Sequence, residues 1–203
     1  REKAGQSGSQ DDSINNPEVR NLAEGIEVSY ETHVQSVGWQ PAVSNGRMAG
    51  TSGKAKRLEA IRIRVAGNGN LGIRYRTHVQ SYGWQDWVSG GDLSGTEQQS
   101  KRLEAICIEL TGADKDLYDV YYRVHAQSYG WLDWAKNGAE AGTEGLSKRL
   151  EGINVVIVPK GADPGVPTGR PFVSPYPGAV NYRTHVQSYG WQGWAFDGGM
   201  SGT

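Results

Sequence analysis

With 203 residues, 36% of them hydrophobic, the chain is long enough for one good core and a second, smaller unit. Its 21 Lys and Arg balance 22 Asp and Glu, so nothing in the charge favours nucleic acid or an anionic membrane surface as a partner. The single cysteine, Cys107, excludes an internal disulfide, and the longest aliphatic run, INVVIV from Ile153, is too short to span a bilayer, so no membrane insertion is expected.

The chain opens on Arg1 with a polar, aperiodic stretch that reads as a tail over residues 1–23. It holds no apolar leader, so any signal peptide is expected to lie outside this sequence. From Ser29 onward four stretches align without gaps: SYETHVQSVGWQPA, RYRTHVQSYGWQDW from Arg74, YYRVHAQSYGWLDW from Tyr121 and NYRTHVQSYGWQGW from Asn181. A second block, KRLEAIRIRV, KRLEAICIEL or KRLEGINVVI, follows each of the first three. His33 to Leu58, His78 to Leu103 and His125 to Leu150 are each 25 residues apart, whereas the step from Leu to the next His varies. The units are thus rigid inside, and insertions fall between them. A period of about 45 residues implies a pseudo-symmetric assembly whose units cannot bury their apolar faces alone.

Within the units the periodicity is two. Ile73, Tyr75, Thr77 and Val79 alternate with Arg74, Arg76, His78 and Gln80, and Ile61, Ile63 and Val65 alternate with arginines, so both blocks read as half-buried strands. AGNGNLG, residues 66–72, carries an Asn-Gly turn signal and predicts a hairpin joining the aliphatic strand of one unit to the tyrosine strand of the next. TEQQSKRLEA offers at most one helical turn before it enters a strand. Six of the eight prolines lie in residues 159–179, which reads as a semi-rigid linker. Three complete units over residues 24–158 precede it, and an incomplete fourth, residues 180–203, follows. The expected fold is all-β: three units about a pseudo-three-fold axis, β-prism-like, with a β-trefoil as the alternative and a propeller fragment behind both.

The pattern YRTHVQSYGWQDW, then SGT, then QSKRLEAI resembles the clostridial hydrophobic repeats with conserved tryptophan, the ChW repeats, over nearly everything from Glu24 to Thr203 except the linker. The resemblance implies a secreted or cell-surface, extracellular protein of Gram-positive bacteria, and binding or adhesion more than chemistry. The first unit departs from the pattern, with Val37 where the motif has Tyr and Ala42 where Trp87, Trp134 and Trp194 stand.

Trp39, Trp84, Trp131 and Trp191 occur in every unit, as a core residue of a symmetric fold must. The second tryptophan is missing from the first unit, so Trp87, Trp134 and Trp194 are the better ligand contacts. Asp86 and Asp133 stand just before two of them, Gly193 before the third, and Tyr82 and Tyr129 lie in the same motif. Flat rings beside a carboxylate suit sugar hydroxyls and ring faces. His33, His78, His125 and His185 lack an acid or cysteine at ligand spacing. They are expected as polar struts toward Glu59, Glu104 and Glu151, with Arg57, Arg102 and Arg149 as further partners, and no metal or cofactor is expected. In an unbroken strand those glutamates would share the face of the buried isoleucines. ADKDLYD, residues 113–119, lacks the glycine and distal glutamate of a calcium loop. Cys107 stands where other units carry Arg62 and Asn154, which marks it as inert.

Every conspicuous residue is repeated, whereas catalysis needs one asymmetric constellation. The sequence therefore points to a non-catalytic module that binds glycans on a cell surface or matrix. The alternative is a protein-binding or architectural role in surface assembly, with an accessory part of a secreted hydrolase third. Residues 176–203 are expected to self-associate with another copy, to pack on another fragment of the protein or to fold back on the first module, because the incomplete unit lacks partners for its strand.

Overall fold

The computed structural model describes residues 19, 20 and 22–175, together with short stretches between 181 and 196. Each of the first three units supplies two long strands and three short ones. The first holds β1 (Glu27–Val34), β2 (Gly38–Trp39), β3 (Val43–Ser44), β4 (Ala49–Gly50) and β5 (Leu58–Ala66). The second holds β6 (Gly72–Val79), β7 (Gly83–Trp84), β8 (Val88–Ser89), β9 (Ser94–Gly95) and β10 (Leu103–Thr111). After a short 3-10 turn at Lys115–Leu117, the third holds β11 (Tyr118–Ala126), β12 (Gly130–Trp131), β13 (Ala135–Lys136), β14 (Ala141–Thr143) and β15 (Leu150–Pro159). A further strand, β16 (Phe172–Val173), lies in the proline-rich segment. The fold is all-β.

The two long strands of a unit pair with each other. β1 runs antiparallel to β5, β6 to β10 and β11 to β15, each along its full length. The hairpin expected at residues 66–72 is therefore corrected: β5 and β6 belong to different sheets, and the turn at Asn68–Leu71 carries the chain from one sheet to the next. The turn signal is local and says nothing about which strand lies beside which. Pairing β1 with β5 brings Val28, Tyr30 and Val34 opposite Val65, Ile63 and Leu58, a larger apolar match than a hairpin across the polar loop would give.

Each sheet still spans two units, through the shortest strands. β9 of the second unit pairs with β5 of the first, β14 of the third with β10 of the second, and β4 of the first with β15 of the third. That last pairing closes the three units into a cycle. The alternation read from the sequence holds: Ile73, Tyr75, Thr77 and Val79 face inward, as do their counterparts, and Val28, Tyr30, Ile61, Ile63, Ile73, Tyr75, Ile106, Ile108, Val120 and Tyr122 share one core.

The motif tyrosine ties each unit to its predecessor around the cycle. Tyr75 Oη accepts from Ile63 N at 3.0 Å and donates to Asp92 O; Tyr30 likewise accepts from Val155 N of the third unit at 3.1 Å and donates to Arg47 O. Burial pushes both hydroxyls above the ordinary phenol range. Tyr75→Phe keeps the ring and strands the buried Ile63 N and the part-buried Asp92 O, so we expect it to lower stability by about 1–3 kcal/mol. Urea unfolding of the two proteins measures this, and a change under about 0.5 kcal/mol would contradict the bridging role.

The proline-rich segment lies on the third unit, with Phe172–Val173 as its one described strand. Val166 and Ala162 pack with Val19 against Tyr121, Trp134, Val156 and Val158. At its start Asp119, which is fully buried, accepts from Lys136 Nζ and Lys160 Nζ at 2.9 Å each, from Gly161 N at 2.9 Å and from Asn137 Nδ2 at 2.7 Å. Burial alone would raise this carboxyl; the donors outweigh it and hold it far below the usual carboxylate range. The aliphatic run INVVIV is explained by this cover: Val156 and Val158 point outward, yet both are buried. In the second unit the same outward positions are Glu109 and Thr111.

Candidate functional site

The site is built from a β-bulge. His78 pairs with Ala105 and Val79 with Leu103, leaving Glu104 as the extra residue; Glu59 and Glu151 are bulged in the same way. The bulge breaks the strand's alternation and brings each glutamate, which stays buried, beside a histidine and an arginine, the partners that a buried carboxylate needs. Glu104 Oε2 then stands 3.0 Å from His78 Nδ1, close but not well aligned for a hydrogen bond, while Arg102 Nε donates to Oε1 at 2.7 Å. Burial raises the Glu104 carboxyl, and His78 with Arg102 more than offsets it, so it stays below its ordinary value. The expected struts therefore include both partner sets. His33 and His125 face Glu59 and Glu151 at 3.0 and 3.1 Å, with Arg57 and Arg149 completing those clusters. Each of these three histidines faces its own unit's glutamate, His78 Nε2 also lies 3.7 Å from Glu144 of the third unit, and among the described residues no group of three His, Cys, Asp or Glu side chains gathers as a metal site would require.

Outside each His–Glu pair lies the first motif tryptophan, edge-on to the imidazole at 5.5 to 5.6 Å between ring centroids. Trp39, Trp84 and Trp131 are half-buried and lie outside the core cluster, so they are rim residues and not the interior residues expected. A strand arginine covers each: Arg62 over Trp39, Arg76 over Trp84 and Arg123 over Trp131, at 4.1, 4.9 and 4.6 Å. Arg76 also lies 4.9 Å from Trp87, which Arg74 approaches at the same distance. The Arg76 guanidinium thus sits against both rings of the second unit. Beneath it Cys107 is fully buried, and burial pushes its thiol up to about 11, which keeps it protonated and unreactive.

Beside this cluster the second unit opens a groove of about 440 Å³, lined by Tyr82, Trp84, Gln85, Asp86, Val88, Leu93 and Gly95. Two of the expected ligand residues, Tyr82 and Asp86, line it, and Tyr82 is 56% exposed. Its ring is held in place by Tyr82 Oη donating to Gln99 Oε1 at 2.8 Å and by Lys101 lying 5.4 Å over its face. Trp87 stands apart from the lining, under the two arginines. Gln85 Oε1 accepts from Gly95 N at 2.9 Å and fixes the groove floor. Trp84, Gln85 and Leu93 were not among the expected ligand residues. Trp84 was read as core because it recurs, and Gln85 carries a readable signal: Gln40 and Gln192 repeat it, and only the third unit has Leu132.

The other units differ. The first lacks the motif rings at Val37 and Ala42, and its Trp39 Nε1 donates to Glu97 of the second unit. In the third, Trp134 is 1% exposed beneath the proline-rich segment, Asp133 Oδ2 accepts from Arg170 N, and Arg170 lies over Tyr129. The three expected contacts Tyr129, Asp133 and Trp134 are therefore brought together and already engaged by the chain itself. Trp194 and Gly193 lie outside the described residues, as does the expected association through residues 176–203. In the fourth unit the description reaches only strand pairs, Asn181–Tyr182 with Ala195–Phe196 and His185–Val186 with Gly190–Trp191.

A cycle of three like units, each with a bulged glutamate, a histidine and a capped tryptophan at its rim, defines a repeat-built β module. Residues 33–67, 78–112, 125–159 and 185–203 each match the family model Clostridial hydrophobic W, together more than half of the chain. The chain belongs to that family. No curated protein and no solved structure matches it.

Proposed function

We propose that the chain is a non-catalytic, extracellular binding module that recognises glycans of a cell surface or matrix through the groove of its second unit. One observation carries this reading: in that groove an exposed aromatic ring, a solvent-facing carboxylate and a fixed amide line one open face, at Tyr82, Asp86 and Gln85. A tyrosine ring offers an apolar plane to the C–H face of a sugar, and the carboxylate and amide accept from and donate to its hydroxyls. The site is shallow, which suits weak individual contacts strengthened by repetition along a multi-module surface.

The test is a glycan array of the 203-residue chain beside Tyr82→Ala and Asp86→Ala. Saturable binding to a sugar class is expected, weakened about tenfold or more by either change, equivalent to about 1.4 kcal/mol. Both variants should melt with the parent, because both side chains are exposed. Silence of the parent across the array, or variants that bind as the parent does, would overturn the glycan reading.

A further inference from the structure

The third unit's groove has changed its chemistry together with its occupant. Where the second unit has Arg74, Glu109 and Thr111 on the outer face, the third has Tyr121, Val156 and Val158. Where Gln85 caps Gly95 N in the second unit, and Gln40 caps Gly50 N in the first, the third has Leu132, and Gly142 N donates instead to Pro171 O at 3.0 Å. The rest of the segment follows in register: Trp134 N donates to Pro167 O at 2.9 Å, Asp133 N to Arg170 O at 3.2 Å, Arg170 N to Asp133 Oδ2 at 2.8 Å and Glu144 N to Val173 O at 3.1 Å. β16 thus adds in parallel to the edge of β14, with Phe172 beside Gly142 and Val173 beside Thr143. The groove is a strand-accepting site of the kind that takes an extended peptide through backbone bonds and side-chain pockets.

The covalent connection of the segment to its own unit runs through the corner at residues 160–165. Its first half is pinned to Asp119 through Lys160 and Gly161, and its second half turns on Gly161 and Gly165, both at φ near +70°, with Gly165 N bonded to Asp163 Oδ1. Beyond Ala162 every contact of the segment with the groove depends on the groove and the peptide alone, not on which copy supplies the peptide. Straightening the corner therefore exchanges identical groove contacts, and the opposing terms are the entropy of association, the loss of the corner's own turn and the loss of the bond from Arg20 N to Pro164 O at 3.2 Å.

We infer that Val166–Val173 also docks in the third unit of a second copy of this chain, so that copies are linked segment into groove. The exchange carries the fourth unit from one copy to the other, and reciprocal exchange gives a closed dimer. The second unit's groove takes no part in it, so sugar binding stands or falls separately.

The test is the molar mass of the full chain with Asp163–Gly165 deleted, a corner too short to turn back, measured by light scattering after gel filtration. A mass twice that of the chain is expected, returning to a single chain when Arg170→Pro, which removes the donor to Asp133, is added. A monomeric deletion variant would overturn the inference, and so would a dimer that ignores Arg170→Pro. Should the deletion variant not fold, two differently tagged parent chains unfolded and refolded together settle the matter. Tandem capture of mixed pairs is expected, reduced at least tenfold when both copies carry Val166→Asp. No mixed pairs, or pairs indifferent to Val166→Asp, would overturn it.

Discussion

Gly95→Ala is expected to open the cycle between the first and second units and to lower stability by about 3 kcal/mol. Gly95 sits at φ +112°, where L side chains are strained, and a Cβ there would come 2.4 Å from Glu59 O and 2.7 Å from Ala60 Cα. Both are backbone atoms of the strand that Gly95 pairs with, so neither can swing aside. Gly50 and Gly142 repeat the arrangement, each placing a would-be Cβ 2.4 Å from the carbonyl of the bulged glutamate's counterpart, Glu151 or Glu104. The close approach is what lets a two-residue strand seal one unit to the next. Differential scanning calorimetry should show a melting temperature lower by roughly 6–12 °C. A shift of less than about 2 °C would mean that the short strand can retreat without loss.

Trp134→Ala should cost about 3–5 kcal/mol, whereas Trp87→Ala at the equivalent position should cost clearly less. Trp134 is 1% exposed between the outer face of the third unit and the proline-rich segment, so its removal leaves a cavity and detaches the apolar cover of Val156 and Val158. Trp87 is half-buried and held mainly by Arg74 and Arg76. Guanidinium unfolding of the two variants compares them directly, and equal losses would show that the segment adds nothing to the third unit. Trp84→Ala, by the same argument, is the change of a rim residue and not of a core one.

Much of this fold could be read in advance because alternation and repetition are local properties. Ile73, Tyr75, Thr77 and Val79 announced an inward face, and the constant 25-residue spacing from His to Leu announced a rigid unit; both follow from two-residue periodicity alone. What escaped was everything decided by a distant partner. The Asn-Gly turn at residues 68–71 is real, but whether its flanking strands pair depends on Tyr30 and Val28 offering β5 a better face. The bulge at Glu104 depends on His78 across the sheet, and the sequence showed only the conflict that the bulge resolves. In the candidate site Tyr82 and Asp86 were legible as an aromatic ring and a carboxylate in one motif, and their exposure came only with the structure. Trp84 was not, since a residue can recur at a symmetric rim as faithfully as in a core. The burial of Trp134 was written in two places, Leu132 for glutamine and INVVIV for a mixed strand, and only together do they mean that something covers the third unit.

The pairing of Ala49–Gly50 with Gly152–Ile153 joins the first unit to the last of three, and it uses up the one acceptor edge that a linear stack would have kept for its next member. A stacked solenoid can be lengthened by copying; this arrangement counts to three and stops. Each of the three glycine strands already has its neighbour, and Tyr30, Tyr75 and Tyr122 each already reach the unit before their own. The ring's short strands are thus used up by its three members, so in such a gene duplication of a single unit adds no member to the ring, where duplication of a triplet adds a domain.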